Sequence, residues 1–303
     1  MGWKILLSFV FILFAITLLA VYWFIPFNTI DFGIKSSSSN FSLEGFESKN
    51  MQFYPNMRFP DSKISYKIYD CTLKKEDDML RAFNILASKT PLTFYSVLNN
   101  EEIFITCDSK TKIEGGMFIA GEGGPTDITA TDNFNVISNG KILLIRDSEC
   151  PDPNVAIHEL LHALGFEHSN NPNNIMYNFS RCEQTIGQDS IDLINKLYSI
   201  PDYPDLTIEN VSAIMHGKYL DTNITIKNNG LKKSGSSKLI ISSGDTIVKT
   251  FDVDGLEVGY GKIIILTNVL VKKINIDELE FLIDTDFDEL EKNNNKVILK
   301  VKK

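Results

Sequence analysis

Three of the chain's four histidines fall within the run His158-Glu159-Leu160-Leu161-His162-Ala163-Leu164-Gly165-Phe166-Glu167-His168. No other stretch so limits what this chain can become. His158 and His162 stand four apart, so on a helix they leave one face about one turn from each other. Gly165 can take the positive φ that ends a helix and turns the chain. That turn would bring His168 back as a third ligand beside the first two. Three imidazoles at this spacing form a zinc-ligand set with a fourth tetrahedral position left to water, the arrangement of a catalytic rather than a structural ion. Glu159, one step round the helix, is placed to act on a water rather than to bind the metal. Two histidines and a glutamate alone also occur on the solvated face of ordinary helices. The glycine followed by a third histidine is what such a helix has no reason to carry.

The length of 303 residues exceeds one typical domain and points to two folded units plus a tail. A net charge of −9, with no basic stripe, argues against nucleic acid as a partner. Residues 5–27 carry no charge. At the helical rise they run roughly 34 Å, enough for a hydrocarbon core of about 30 Å. Trp3 at one end and Tyr22 with Trp23 at the other resemble interfacial anchors. A cleaved signal peptide has a shorter apolar region and a small-x-small site, and Leu18-Leu19-Ala20 serves poorly as one. The expectation is therefore an uncleaved single-pass transmembrane signal anchor over 1–27. Lys4 on its short side predicts a cytoplasmic N-terminus, with everything after 27 extracytoplasmic at the cell membrane. The sequons at Asn40, Asn178, Asn210 and Asn223 are compatible with that side.

Residues 28–58, with a serine run at 36–39 and little apolar periodicity, read as a stalk or linker. Over 59–200 the pattern is mixed. A strand at 64–69 precedes a helix after Cys71 whose apolar face is Met79, Leu80, Phe83, Leu86 and Ala87. Strand-like runs come next at 92–97, 103–107, 117–120 and 141–145. Asp152 and Pro153 suit the N-cap and first position of the histidine helix, and a last helix covers 188–198. This is an α+β unit, a mixed twisted sheet packed on helices. From 201 the texture changes to seven β-rich runs, around 206–211, 219–227, 238–242, 246–253, 262–271, 279–283 and 296–301. No helix of any length intervenes, which predicts an all-β Ig-like sandwich over 201–303.

The histidine string and the segment beyond it resemble the metzincin zinc endopeptidases, and among them the matrixin-like group. Met176, eight residues beyond His168 in His168-Ser169…Ile175-Met176-Tyr177, resembles the family's methionine turn, which forms an apolar floor beneath the zinc. Arg58-Phe59-Pro60…Ile64-Ser65-Tyr66 is similar to the family's first strand. Ala120-Gly121-Glu122-Gly123-Gly124-Pro125-Thr126 looks like the edge of its cleft, and Gln188-Asp189…Leu197-Tyr198 like its closing helix. The resemblance covers about 57–200. It departs from the family in two places: no Pro-Arg-Cys-Gly-like segment precedes Cys71, and only Cys182 lies beyond the helix, where the archaeal members carry a second zinc motif. The C-terminal part, through Ile283-Asp284-Thr285-Asp286…Asn294-Asn295-Lys296, is similar to the adhesion-type Ig-like modules called CARDB.

Four cysteines permit three pairings. The hypothesis is Cys71–Cys107, joining strand ends around the first helix, and Cys150–Cys182, closing a loop around the whole zinc site. In a reducing compartment the same four would be free thiols. Asp284-x-Asp286-x-Asp288 begins like an EF-hand loop, but Glu289 stands where glycine is needed and Asn295 where glutamate is. It reads as an acidic turn between the last two strands, and Ca2+ there is without support. His216 reads as a surface residue. Together these features lead to a membrane-anchored extracytoplasmic zinc endopeptidase acting on proteins or peptides. One zinc would be bound by His158, His162 and His168, with Glu159 as general base. The substrate would lie along a cleft-edge strand among 117–127. The alternative is a cell-surface adhesion protein whose zinc domain is not catalytic and whose sandwich binds a surface ligand.

Overall fold

The computed structural model describes residues 2–24, 29–37, 51–110, 112–114, 117–147, 150–271 and 276–302. It begins with helix α1 (Gly2–Phe24), whose window Gly2–Ala20 has a mean hydropathy of 2.4. By length and composition α1 is able to cross a membrane, and its apolar side chains from Trp3 to Leu19 are exposed. Strand β1 (Thr29–Ser37) comes next. Contacts then divide the chain into two compact units, 42–204 with 229–233, and 1–41 with 205–228 and 234–303.

The first unit contains β2 (Met57–Arg58), β3 (Lys63–Tyr69), α2 (Leu73–Ala87), β4 (Thr93–Ser96) and β5 (Ile103–Cys107). It continues with β6 (Lys112–Glu114), β7 (Met117–Ile119), β8 (Gly121–Ala130), β9 (Asn135–Leu144), α3 (Asn154–Ala163) and α4 (Gln188–Tyr198). β4, β3, β5 and β9 pair in parallel, β2 extends the β5 side of β9, and β8 pairs antiparallel with β9 on its other side. Among the described residues, the outer edge of β8 has no partner strand. Alternation along the strands sends Ile64, Ile103, Ile105, Ile137 and Ile142 into one core with Met79 and Phe83 of α2 and Leu160 and Leu161 of α3. Thr72 caps α2 by accepting from Lys75 N. Leu80, expected on its apolar face, is 37% exposed, and Ala82 takes its place in the core. Helix α3 starts one residue later than expected. Pro153 is its N-cap, and Asp152 turns outward to pair with Arg81 at 3.7 Å.

The second unit is all β after α1. β10 (Leu206–His216), β11 (Tyr219–Asn228), β12 (Ser237–Ser243), β13 (Thr246–Val253), β14 (Gly261–Leu270), β15 (Glu278–Asp284) and β16 (Lys296–Val301) match the seven expected runs. An eighth strand joins them. Residues 29–31 of β1 pair antiparallel with β10, and residues 32–37 pair with β16. β1 therefore passes from one sheet, β10-β11-β14, to the other, β16-β15-β12-β13. Phe32 enters the core beside Ile224, Leu239, Phe281 and Leu299.

The stalk expected over 28–58 is corrected at both ends. Ile30, Phe32 and Ile34 alternate as a strand does, but the run is short and leads into serines. At the other end, Gln52, Met57 and Arg58 are buried in the first unit. Arg58 lies over the Tyr198 ring at 4.4 Å and donates to Ile200 O at 3.0 Å and Pro60 O at 2.9 Å. Buried polar groups held by backbone acceptors look, in a hydropathy reading, like solvated chain. Residues 38–50 of that stalk, with the Asn40 sequon, lie outside the described residues, as do 25–28, of which 25–27 belong to the expected anchor.

Candidate metal centre

Helix α3 carries His158, Glu159 and His162 on ten residues, with Ala156, Ile157, Leu160, Leu161 and Ala163 in the core. It ends in a Schellman arrangement, with Gly165 N donating to His162 O at 2.9 Å and Phe166 N to Leu161 O at 3.0 Å. Gly165 has φ +93°, and a Cβ there would stand 2.8 Å from Met57 Cβ, so both the turn and the packing require glycine. Beyond it the chain returns, and His168 Nε2 lies 3.2 Å from His162 Nε2, which is itself 3.0 Å from His158 Nε2. A tetrahedral zinc with bonds of about 2.0–2.1 Å needs nitrogens about 3.3 Å apart. Among the described residues this is the one group of three His, Cys, Asp or Glu side chains placed to converge on an ion.

The donor chemistry fits such an ion. His158 Nδ1 lies 2.6 Å from Ile175 O, and His162 Nδ1 lies 2.8 Å from Phe166 O. A ring nitrogen facing a carbonyl carries the proton, which leaves the Nε2 lone pair free for a metal. Burial, the larger cause in each case, holds both rings below the usual imidazole range, His162 down to about 4, so that they stay neutral. His168 is the exposed member of the three, and its backbone N–H donates to Glu167 Oε1 at 3.0 Å.

Glu159 is 5% exposed, and burial followed by the charge of Glu122 pushes its carboxyl up to about 8. Its nearest constraint is β8. A Cβ on Gly123 would stand 2.3 Å from Glu159 O, and one on Gly121 would stand 2.7 Å from Glu159 Cγ. Residues two apart on a strand share a face, so both glycines turn the same bare side to the helix. Glu122, between them, forms an ion pair with Lys112. The sequence named 120–126 as a cleft edge but gave no sign that these glycines face Glu159.

The loop after His168 is held as closely. Met176 is 1% exposed, its N–H donates to Asn174 Oδ1 at 2.9 Å, and its carbonyl accepts from Ser169 N at 2.8 Å. Cys150–Cys182 closes around the whole segment, and Asn154 Nδ2 donates to Arg181 O at 2.7 Å, joining that loop to the start of α3. Cys71–Cys107 is also formed, so the structure has both bridges of the expected pairing.

Residues 58–199 match the family model described as Matrixin, and residues 203–298 match the one described as CARDB. The first unit is thus similar over nearly its whole folded length to the matrixins. Similar proteins include matrix metalloproteinase-16 of Homo sapiens, 32% identical over 172 residues, covering 46% of this chain and 27% of that protein. Interstitial collagenase B of Mus musculus is 28% identical over 188 residues, covering 57% of this chain and 40% of that protein. The chain thus spans well under half the length of these relatives. Among solved structures, a CARDB domain of Pyrococcus furiosus in complex with di-metal ions is 20% identical, with a TM-score of 0.28, covering 33% of this chain and 88% of that chain.

In the second unit the acidic turn runs from β15 to β16, with no flanking α-helix. Glu289 faces inward there and accepts from Leu206 N at 2.7 Å, Thr285 Oγ1 at 2.7 Å and Asn295 Nδ2 at 2.8 Å. His216 ends β10 and lies 3.6 Å from Asp221.

Proposed function

We propose that this chain is a zinc endopeptidase held at the cell membrane by α1, with both folded units on the extracytoplasmic side. The observation that carries the reading is the convergence of three imidazoles, two of them oriented by backbone carbonyls, beside a buried carboxylate that touches an edge strand. His158, His162 and His168 would hold the zinc, and Glu159, not a ligand, would serve as general base. Zinc bound there supplies Lewis acidity toward a carbonyl and lowers the pKa of a water. Glu159, in an environment that raises its basicity, takes a proton from the attacking water and returns it to the leaving amine. The free edge of β8 offers backbone donors and acceptors to an extended peptide, which would add as another strand. The matrixin match and the similarity to matrix metalloproteinase-16 and interstitial collagenase B support hydrolysis of proteins. The disulfides, together with a helix uncharged beyond Lys4, support the oxidising side of a membrane.

The test is cleavage of a mixed peptide library by the full chain in detergent, beside Glu159→Gln, with zinc measured in both. Cleavage by wild type alone, with zinc in each, is the expected result. Zinc in both and cleavage by neither, under every activation condition tried, would favour an adhesion protein whose sandwich binds a surface ligand.

A further inference from the structure

We infer that residues 51–53, upstream of the matched matrixin domain, are a working part of the metal centre: a strap that positions two of its three histidines. Phe53 N donates to Gly165 O at 3.0 Å, and Glu167 N donates to Met51 O at 2.9 Å. Between them Gln52 and Phe166 form an antiparallel bridge. These bonds fall on the three residues that lead from the helix end to His168. Once Gly165 has turned the chain out of α3, the carbonyl of 165 and the N–H of 167 have no helical partner. The strap supplies both.

The strap reaches the ligands by two routes. Phe166, which it pairs, presents the carbonyl that orients His162 through Nδ1 at 2.8 Å. Glu167, which it bonds, immediately precedes His168. In addition, the Phe53 ring stacks on the His162 imidazole, with centroids 5.8 Å apart and planes inclined by 21°. The strap is itself fixed. Gln52 is 4% exposed, donating to Met57 O at 2.7 Å and accepting from Met57 N at 3.1 Å. Met57 packs in turn against Gly165. Gln52, Met57, Gly165 and Phe166 thus close a ring of contacts around the turn. Groups that orient a ligand imidazole through its second nitrogen typically change metal affinity by about 10–100-fold when lost. Gln52 and Phe53 are positioning residues in this sense.

The inference rests on reading the three imidazoles as a zinc centre, but not on peptide hydrolysis. The experiment measures zinc affinity of the full chain by chelator competition, the visible spectrum of the cobalt(II)-loaded protein, and the unfolding midpoint of the metal-free form. Phe53→Pro removes the N–H donated to Gly165, Gln52→Ala releases the strap from Met57, Phe53→Ala removes the ring, and Phe53→Tyr keeps it. The expected result is zinc binding weakened about tenfold to a hundredfold in the first two, with altered cobalt bands and a metal-free midpoint near wild type. Phe53→Ala should lie between, and Phe53→Tyr should restore wild-type behaviour. Should Phe53→Pro not fold, Gln52→Ala and Phe53→Ala decide. Wild-type affinity and spectrum in those variants, or zinc loss that only accompanies metal-free unfolding, overturns the strap. A wild type that holds zinc but cleaves nothing sinks the endopeptidase reading alone. A wild type that takes up no zinc overturns both.

Discussion

Glu159 is confined by contacts that leave its carboxylate little choice of position, and the glycines opposite it measure how little. A Cβ at Gly123 would overlap the Glu159 carbonyl, whereas one at Gly124, the next residue, would meet nothing within 4 Å. Gly123→Ala should therefore push β8 off α3 and lower kcat, while Gly124→Ala leaves it near wild type. Parallel turnover and zinc assays on the two variants check this. Glu159→Gln should keep its zinc and lose about 10²–10⁴-fold in kcat, the usual contribution of a general base. Asp205, in the sandwich, gives a pH signature. Burial, the larger cause, holds its carboxyl up at about 6, while Asn294 Nδ2 donates to it at 2.8 Å. Its folded pKa exceeds the unfolded one, so the native state binds the extra proton between about 4 and 6. Sandwich stability should fall as pH rises through that window, by about 2–3 kcal/mol, and stay level above it. Asp205→Asn should abolish the slope, which denaturant midpoints at pH 4.5 and 7.5 would show. At this scale the sequence was legible where spacing is local, as in His158, His162 and Gly165. It was silent where a residue matters through something far along the chain, as Gly123 does for Glu159 and Gln52 for Phe166.

Elements were readable in proportion to how regular their burial is. β10 to β16 alternate over a single core, so period two appears in the sequence, and α4 carries a clean apolar stripe with Ile191, Ile194 and Leu197 buried. β8 was seen as a cleft edge but not as a ten-residue strand, because Gly121, Gly123, Gly124 and Pro125 are poor strand formers. An edge strand tolerates them because one side of its backbone needs no ladder. The start of α3 slipped by one residue because Asp152 found Arg81 instead of a cap. The loop between α3 and α4 has no regular structure of its own, and the Cys150–Cys182 bridge compensates. Closing 32 residues should contribute about 3–4 kcal/mol by the chain-entropy account. The double variant Cys150→Ser/Cys182→Ser should unfold earlier by that amount in denaturant titration, and its zinc should dissociate faster.

At the scale of the whole molecule, the first unit comes in chain order between the first strand of the sandwich and the remaining seven. Sequence reading saw two domains in a row because β1 is separated from its partners by the whole of the first unit. A cut anywhere in 38–50 should then leave the two fragments associated, since β1 pairs with β10 and β16 through backbone hydrogen bonds rather than through the severed link. Limited proteolysis followed by gel filtration in detergent, and again in denaturant, would read this as co-elution lost only on unfolding. The same arrangement sets a timetable for synthesis. β1 emerges first but finds β10 only on the order of 170 residues later, and β16 last of all. Domains fold as units while the chain is still being made. The core of the first unit can therefore close while β1, next along the chain after α1, still waits, its edge unpaired, for the last strands of the sandwich.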